Sequence, residues 1–196
     1  MRSVIILFIS TLFAFNGFAQ EKKDFGKNTG YVYVKVNGVH PDSLLIEDGD
    51  VKIAIGKIGS TYVDPIITNK TNGMMYVDYN NSYFVIDGKT AELLPGKTYM
   101  KDVNSEIKND KIAPGTQLNP SLVSPFDNGS GVSGVTGLFN DYRTKKVYKE
   151  TGKPANEKMV LVILKDDGSK ITKEFNFEVM SAMDVDKIVR AAKKKR

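Results

Sequence analysis

KMVLVILKDDGSKITKEFNFEV, residues 158–179, commits the chain to β structure. Lys158–Lys165 is apolar on both faces, as a strand buried inside a sheet is. Asp167-Gly168 is a turn pair. From Ile171 to Val179 the pattern alternates. Ile171, Phe175, Phe177 and Val179 share a register that also holds Lys173, against Thr172, Glu174, Asn176 and Glu178 on the other side. Alternation with period two is the mark of a half-buried strand. The stretch is expected to be a long hairpin whose first strand is central.

Downstream of the hairpin, Val185, Ile188, Val189 and Ala192 fall at helical spacing. Asp184 is expected as the N-cap, and the closing basic run Lys193–Arg196 suits the negative end of the helix dipole. Upstream, residues 74–103 read as a meander of short strands. Its expected members are Met74–Tyr79, Tyr83–Ile86, Lys89–Leu94 and Thr98–Val103, with turns at Asp87-Gly88 and Pro95-Gly96. Nearer the N-terminus, Tyr31–Val36 (YVYVKV) alternates and is followed by the turn pair Asn37-Gly38. Leu44–Glu47 and Val51–Ile55 read as two short strands around Asp48-Gly49-Asp50.

The expected fold is a β-rich α+β domain. It is a mainly antiparallel sheet or sandwich of short strands and hairpins, with one C-terminal helix packed on it. Residues 30–196 form that single domain, behind a flexible leader over residues 20–29. Within it, residues 113–134 carry Pro114, Pro120 and Pro125 with Gly115, Gly129, Gly131 and Gly134. They read as a long loop, of a length uncommon in a compact domain.

The first 19 residues have the form of a bacterial secretory signal. Arg2 is the only charge, Val4–Phe15 is nearly all apolar, and Gly17 and Ala19 put small side chains before a cut at Gln20. An apolar run of this length is shorter than the roughly 20 residues a spanning helix needs. The expected product is therefore exported to the periplasm or beyond, with no stable membrane insertion after cleavage.

Composition narrows the chemistry. The 196 residues contain no cysteine, which excludes disulfides, cysteine nucleophiles and thiolate metal sites. A single histidine, His40, excludes multi-histidine metal sites. The net charge is +5, and its excess lies in the second half. Residues 21–100 hold 9 basic and 10 acidic side chains, and residues 101–196 hold 18 and 13, by count along the sequence. A basic face can meet nucleic acid or an anionic surface. Export disfavours nucleic acid, and a solvated face is the plainer reading.

Other motifs have ordinary explanations. Gly129-Ser130-Gly131-Val132-Ser133-Gly134 matches the dinucleotide glycine pattern, but Ser124–Asn128 before it is no strand. No cofactor or metal is expected. Asp48–Asp50 and Asp102–Glu106 offer oxygen ligands but miss the calcium-loop spacing. Asp64, Asp78 and Asp87 could supply an acid–base pair for glycoside hydrolysis, although Asp87, like Asp110 and Asp167, is explained as a turn residue.

Tyrosines concentrate in the first half. Tyr31 and Tyr33 share one strand face with Lys35, opposite the valines. An exposed tyrosine row can stack on sugars or enter a protein interface, and packing against neighbours is the alternative. Tyr31, Tyr33 and Lys35 are thus the candidate partner-binding residues, with no catalytic residue assigned. The expected function is an exported, non-enzymatic envelope protein that binds a protein or a glycan. Its alternative is a secreted hydrolase using carboxylates, without metal or cysteine.

Overall fold

The structure is a computed structural model that describes residues 22–97, 107–124 and 138–194. The stretch expected as a secretion signal, the strand expected at Thr98–Val103, the Asp102–Glu106 segment and the 129–134 glycine pattern lie outside the described residues.

The hairpin at residues 158–179 is the axis of the fold. Strand β13 (Ala155–Lys165) pairs antiparallel with β14 (Lys170–Ser181) from Ala155↔Val179 to Leu164↔Lys170. The turn closes with Gly168 at φ 82°, a left-handed conformation that glycine adopts without strain. Around this hairpin lies an eight-stranded antiparallel sheet. On one side β14 pairs with β2 (Val32–Val36), and β2 pairs with β1 (Lys27–Asn28).

On its other side β13 takes two short strands end to end. β6 (Met75–Val77) pairs with Ile163–Lys165, and β7 (Tyr83–Ile86) with Lys158–Val160. The expected consecutive meander is therefore corrected: β6 and β7 share an edge of β13 and do not pair with each other. Between them the Ser82 hydroxyl stands in for a missing backbone group. Its Oγ accepts from the Val162 N–H at 2.9 Å and donates to the Asp78 carbonyl at 2.7 Å, while Asp78 N–H donates to the Val162 carbonyl. Buried backbone groups need such partners. The sheet is completed by β8 (Lys89–Glu92) on β7 and β10 (Asp110–Ile112) on β6. Asn37-Gly38 and Asp87-Gly88 both have positive φ at each residue, the type I′ geometry their sequences call for.

The second sheet has six strands. β3 (Leu45–Glu47) and β4 (Val51–Ile58) flank the Asp48–Asp50 turn, and β4 pairs with β5 (Tyr62–Asn69). The register of β4 shifts between Ile55 and Lys57. Gly56 lies at this bulge, where a Cβ would meet the Ile66 side chain at 3.2 Å. β9 (Leu94–Pro95), β11 (Gln117–Leu118) and β12 (Leu122–Val123) complete the sheet, the last two pairing with β5. The described part of the expected 113–134 loop is thus bound into a sheet by backbone hydrogen bonds.

The two sheets pack face to face. Val32, Val34 and Val36 of one and Ile53, Val63 and Ile67 of the other fall in one buried cluster. Burying each such side chain stabilises by roughly 1.5–3 kcal/mol. Two ion pairs join the turns at one end, Lys173–Asp48 at 2.5 Å and Lys165–Asp50 at 3.2 Å.

Among the described residues two α-helices flank the sandwich, one more than the sequence suggests. Helix α1 (Asp141–Thr151) is capped by Asn140, whose side chain accepts from the Arg143 N–H, and it ends at Gly152 with φ 67°. Its Thr144 is buried and its Val147 packs on the main core. Helix α2 (Ala182–Lys193) follows β14 without a loop. Its cap is Ser181, which accepts from the Met183 N–H, so the expectation of Asp184 is corrected. Because the strand runs straight into the helix, Ser181 is the residue next to the free amides. Asp184 sits in the first turn and pairs with Lys187 at 3.0 Å.

The stretch expected as a leader, residues 20–29, makes specific contacts where it is described. Lys22 pairs with Asp186 at 2.5 Å, Phe25 packs beside α2, and β1 is hydrogen-bonded into the sheet. Gly26, at φ 100°, approaches so closely that a Cβ would stand 2.1 Å from the Val34 carbonyl oxygen.

Candidate functional site

The residues singled out in YVYVKV part company in the structure. Tyr31 precedes β2 and is 69% exposed, with its carbonyl accepting from the Ala182 N–H. Tyr33 lies under α2, 5% exposed, packed with Met180, Val185 and Val189. The helix takes its place over the sheet because these apolar side chains must be covered. An exposed row through Tyr31 and Tyr33 is therefore not what the fold presents.

Lys35, one pleat further along, stays half-buried at a surface depression. Its cross-strand neighbour is Glu178, as Tyr33 is opposite Met180. The depression measures about 170 Å³, with Phe25, Met180 and Pro154 as its apolar lining and Asp24, Lys35 and Glu178 as its charges. A cation and an anion side by side above apolar surface can hold a polar group and shield its carbon skeleton. The sequence could not show the contribution of Glu178 or Phe25, since both depend on strand register and on the leader folding back.

The most perturbed carboxyl is elsewhere. Glu157 stands in the core-facing register of β13 with Met159, Leu161 and Ile163, and it is 5% exposed. Arg143 of α1 donates from Nη2 to Glu157 Oε1 at 2.5 Å and to the Leu138 carbonyl at 3.2 Å. The Asp87 N–H reaches Glu157 Oε2 at 3.2 Å. Burial raises the proton affinity of Glu157 to about 7, against the lowering effect of Arg143. The sequence carried a signal here, a glutamate in phase with apolar residues of a central strand.

The remaining polar candidates resolve into structural roles. Asp78 is held by Asn81, whose amide side chain donates to Oδ2 at 2.7 Å. Asp87 is the first residue of a type I′ turn. Asp64 lies on β5 in the other sheet, opposite Lys57. These three carboxylates thus sit on separate elements. Asp48 and Asp50 face Lys173 and Lys165. His40 caps a short 3-10 turn, its Nδ1 accepting from the Asp42 N–H. Among the described residues no group of three or more histidine, aspartate or glutamate side chains is placed to hold a metal ion.

The described residues define a β-rich α+β sandwich with a small charged depression on its outer face. Comparison with protein-family models finds no match, and neither does comparison with curated proteins. Among the described residues no helix is long and apolar enough to cross a membrane.

Proposed function

We propose that this chain is an exported, non-enzymatic protein of the cell envelope that binds a protein or glycan partner on the outer face of β2 and β14. The observation that carries the reading is the Lys35–Glu178 pair over Phe25 and Met180. It offers donors, an acceptor and apolar surface in one small concavity, without a nucleophile activated by a base. The export part of the reading rests on the leader alone.

The hydrolase alternative has one feature in its favour, the raised proton affinity of Glu157. Both Glu157 oxygens are engaged by α1 and the Asp87 turn, which favours a structural role.

Lys35→Glu tests the surface. Affinity capture from envelope extract of the source cell should recover a partner with the mature chain and lose it about tenfold or more with the variant. Equal recovery by both removes the reading. Mass spectrometry of the native protein should find Gln20 at its N-terminus. A cytosolic protein retaining Met1 overturns the export.

A further inference from the structure

A second depression opens at the seam where the edges of the two sheets meet, with a volume of about 220 Å³. Pro95, Leu118 and Pro120 give it apolar walls, and Lys97, Asp110 and Asn119 give it polar ones. Asp110 opens β10 of the eight-stranded sheet, whereas Pro95 and Leu118 belong to strands of the six-stranded sheet. Lys97 and Asp110, which meet across it, are 13 residues apart along the chain.

Asp110 is fixed before any ligand arrives. Tyr79 donates its hydroxyl to Oδ2 at 2.7 Å, and Lys97 Nζ donates to Oδ1 at 2.6 Å. Tyr79 is 2% exposed. Burial first, and then the Asp110 carboxylate, raise its proton affinity, so it remains a donor at neutral pH and holds the carboxylate in one orientation. Each carboxylate oxygen has two acceptor sites, and among the described residues each uses one. The Lys97 side chain is 70% exposed and has two further N–H groups to offer. The pair therefore presents an acceptor and a donor next to each other, with its charges already balanced.

We propose that this depression binds a single sugar ring through two neighbouring hydroxyls. A hydroxyl both donates and accepts, so a vicinal diol can bond a second acceptor site of Asp110 and the free N–H groups of Lys97 together. A charged ligand would have to compete with the existing ion pair, and an uncharged polyol does not. Pro95, Leu118 and Pro120 suit the C–H faces of the ring. The volume lies below the range of about 300–1,000 Å³ typical for drug-sized ligands, which fits one ring of a longer glycan. This inference favours the glycan branch of the proposed function but uses none of the Lys35 residues, so either can fail alone.

The test is a titration of the isotope-labelled mature chain, followed by backbone amide NMR, with methyl glycosides of glucose, galactose, mannose and N-acetylglucosamine. Cyclohexanol, a ring with one hydroxyl, is the control. At least one glycoside should give saturable shifts at Gly96, Lys97 and Ser121, and cyclohexanol should give none. Asp110→Asn should weaken binding about tenfold or more, since a hydrogen bond to a charged group is lost. Should Asp110→Asn fail to fold, Lys97→Ala at an exposed side chain serves in its place, with the same expected direction. Saturable shifts absent with all four glycosides, unchanged in the variant that folds, or reproduced by cyclohexanol overturn the proposal.

Discussion

Glu157 and Asp48 each face a cation at 2.5 Å, yet their protons are held in opposite ways. Glu157 is raised to about 7 because burial disfavours its charge more than Arg143 favours it. Asp48 is lowered to about 2, first by the hydrogen bond from Lys173 and then by the Val51 N–H. Asp48 stays partly in water, with its side chain 39% exposed against 3% for Glu157. The comparison teaches that a partner does not by itself set the proton affinity of a carboxyl; the loss of water around it decides which effect prevails.

Removing a partner should expose this difference most. Arg143→Ala leaves a buried carboxylate alone and is expected to destabilise the fold by about 3–5 kcal/mol at pH 8. Urea unfolding should show a smaller penalty at pH 5, where Glu157 takes up a proton. A penalty independent of pH would mean that the pair is not what holds α1 in place.

The two carboxyls also shape stability against pH in opposite senses. For Glu157 the folded value is above the ordinary 4.5, so its contribution is greatest below about 4.5 and falls away as the pH rises through about 7. The range corresponds to roughly 3 kcal/mol. Glu157→Gln should flatten this part of the urea-unfolding profile. For Asp48 the folded value is below the ordinary 3.8, so its contribution is present above about 3.8 and is lost as the pH falls through about 2.

Breaking the partly exposed pair should matter least. Lys173→Ala is expected to change stability by under about 1 kcal/mol, given its solvent screening. A loss as large as that of Arg143→Ala would show that the turn-to-turn ion pairs hold the sheets together.

Much of the fold was legible. Lys158–Val179 read as a hairpin because one run is apolar on both faces, the next alternates with period two, and the ten residue pairs of β13 and β14, Ala155↔Val179 through Leu164↔Lys170, need only a local turn between them. Asn37-Gly38 and Asp87-Gly88 announced their turns through backbone conformations that few other residues tolerate. Helix α1 was not legible. Its docking depends on Thr144, on Arg143 reaching Glu157, and on Phe139 just ahead of it, whose ring lies 5.3 Å from Phe177. It has no apolar stripe for periodicity to register. Strand β5 escaped for a related reason, since Pro65 interrupts Tyr62–Asn69 and proline argues against a strand interior.

The candidate site was legible only in part. Lys35 was in view, but Glu178 stands 143 residues later (178 minus 35) and meets it through register. Tyr33 was in view too, and α2 covers it.

Taken alone, the sequence determined the strand-rich character, the central hairpin, the primed turns and the exclusion of cysteine chemistry, because these follow from composition and from contacts between near neighbours. Tertiary structure alone decided which faces are covered, where β6 and β7 attach, and which charges lose their water. Those outcomes depend on surfaces brought together from distant parts of the chain, and burial acts on a side chain only once its neighbours have arrived.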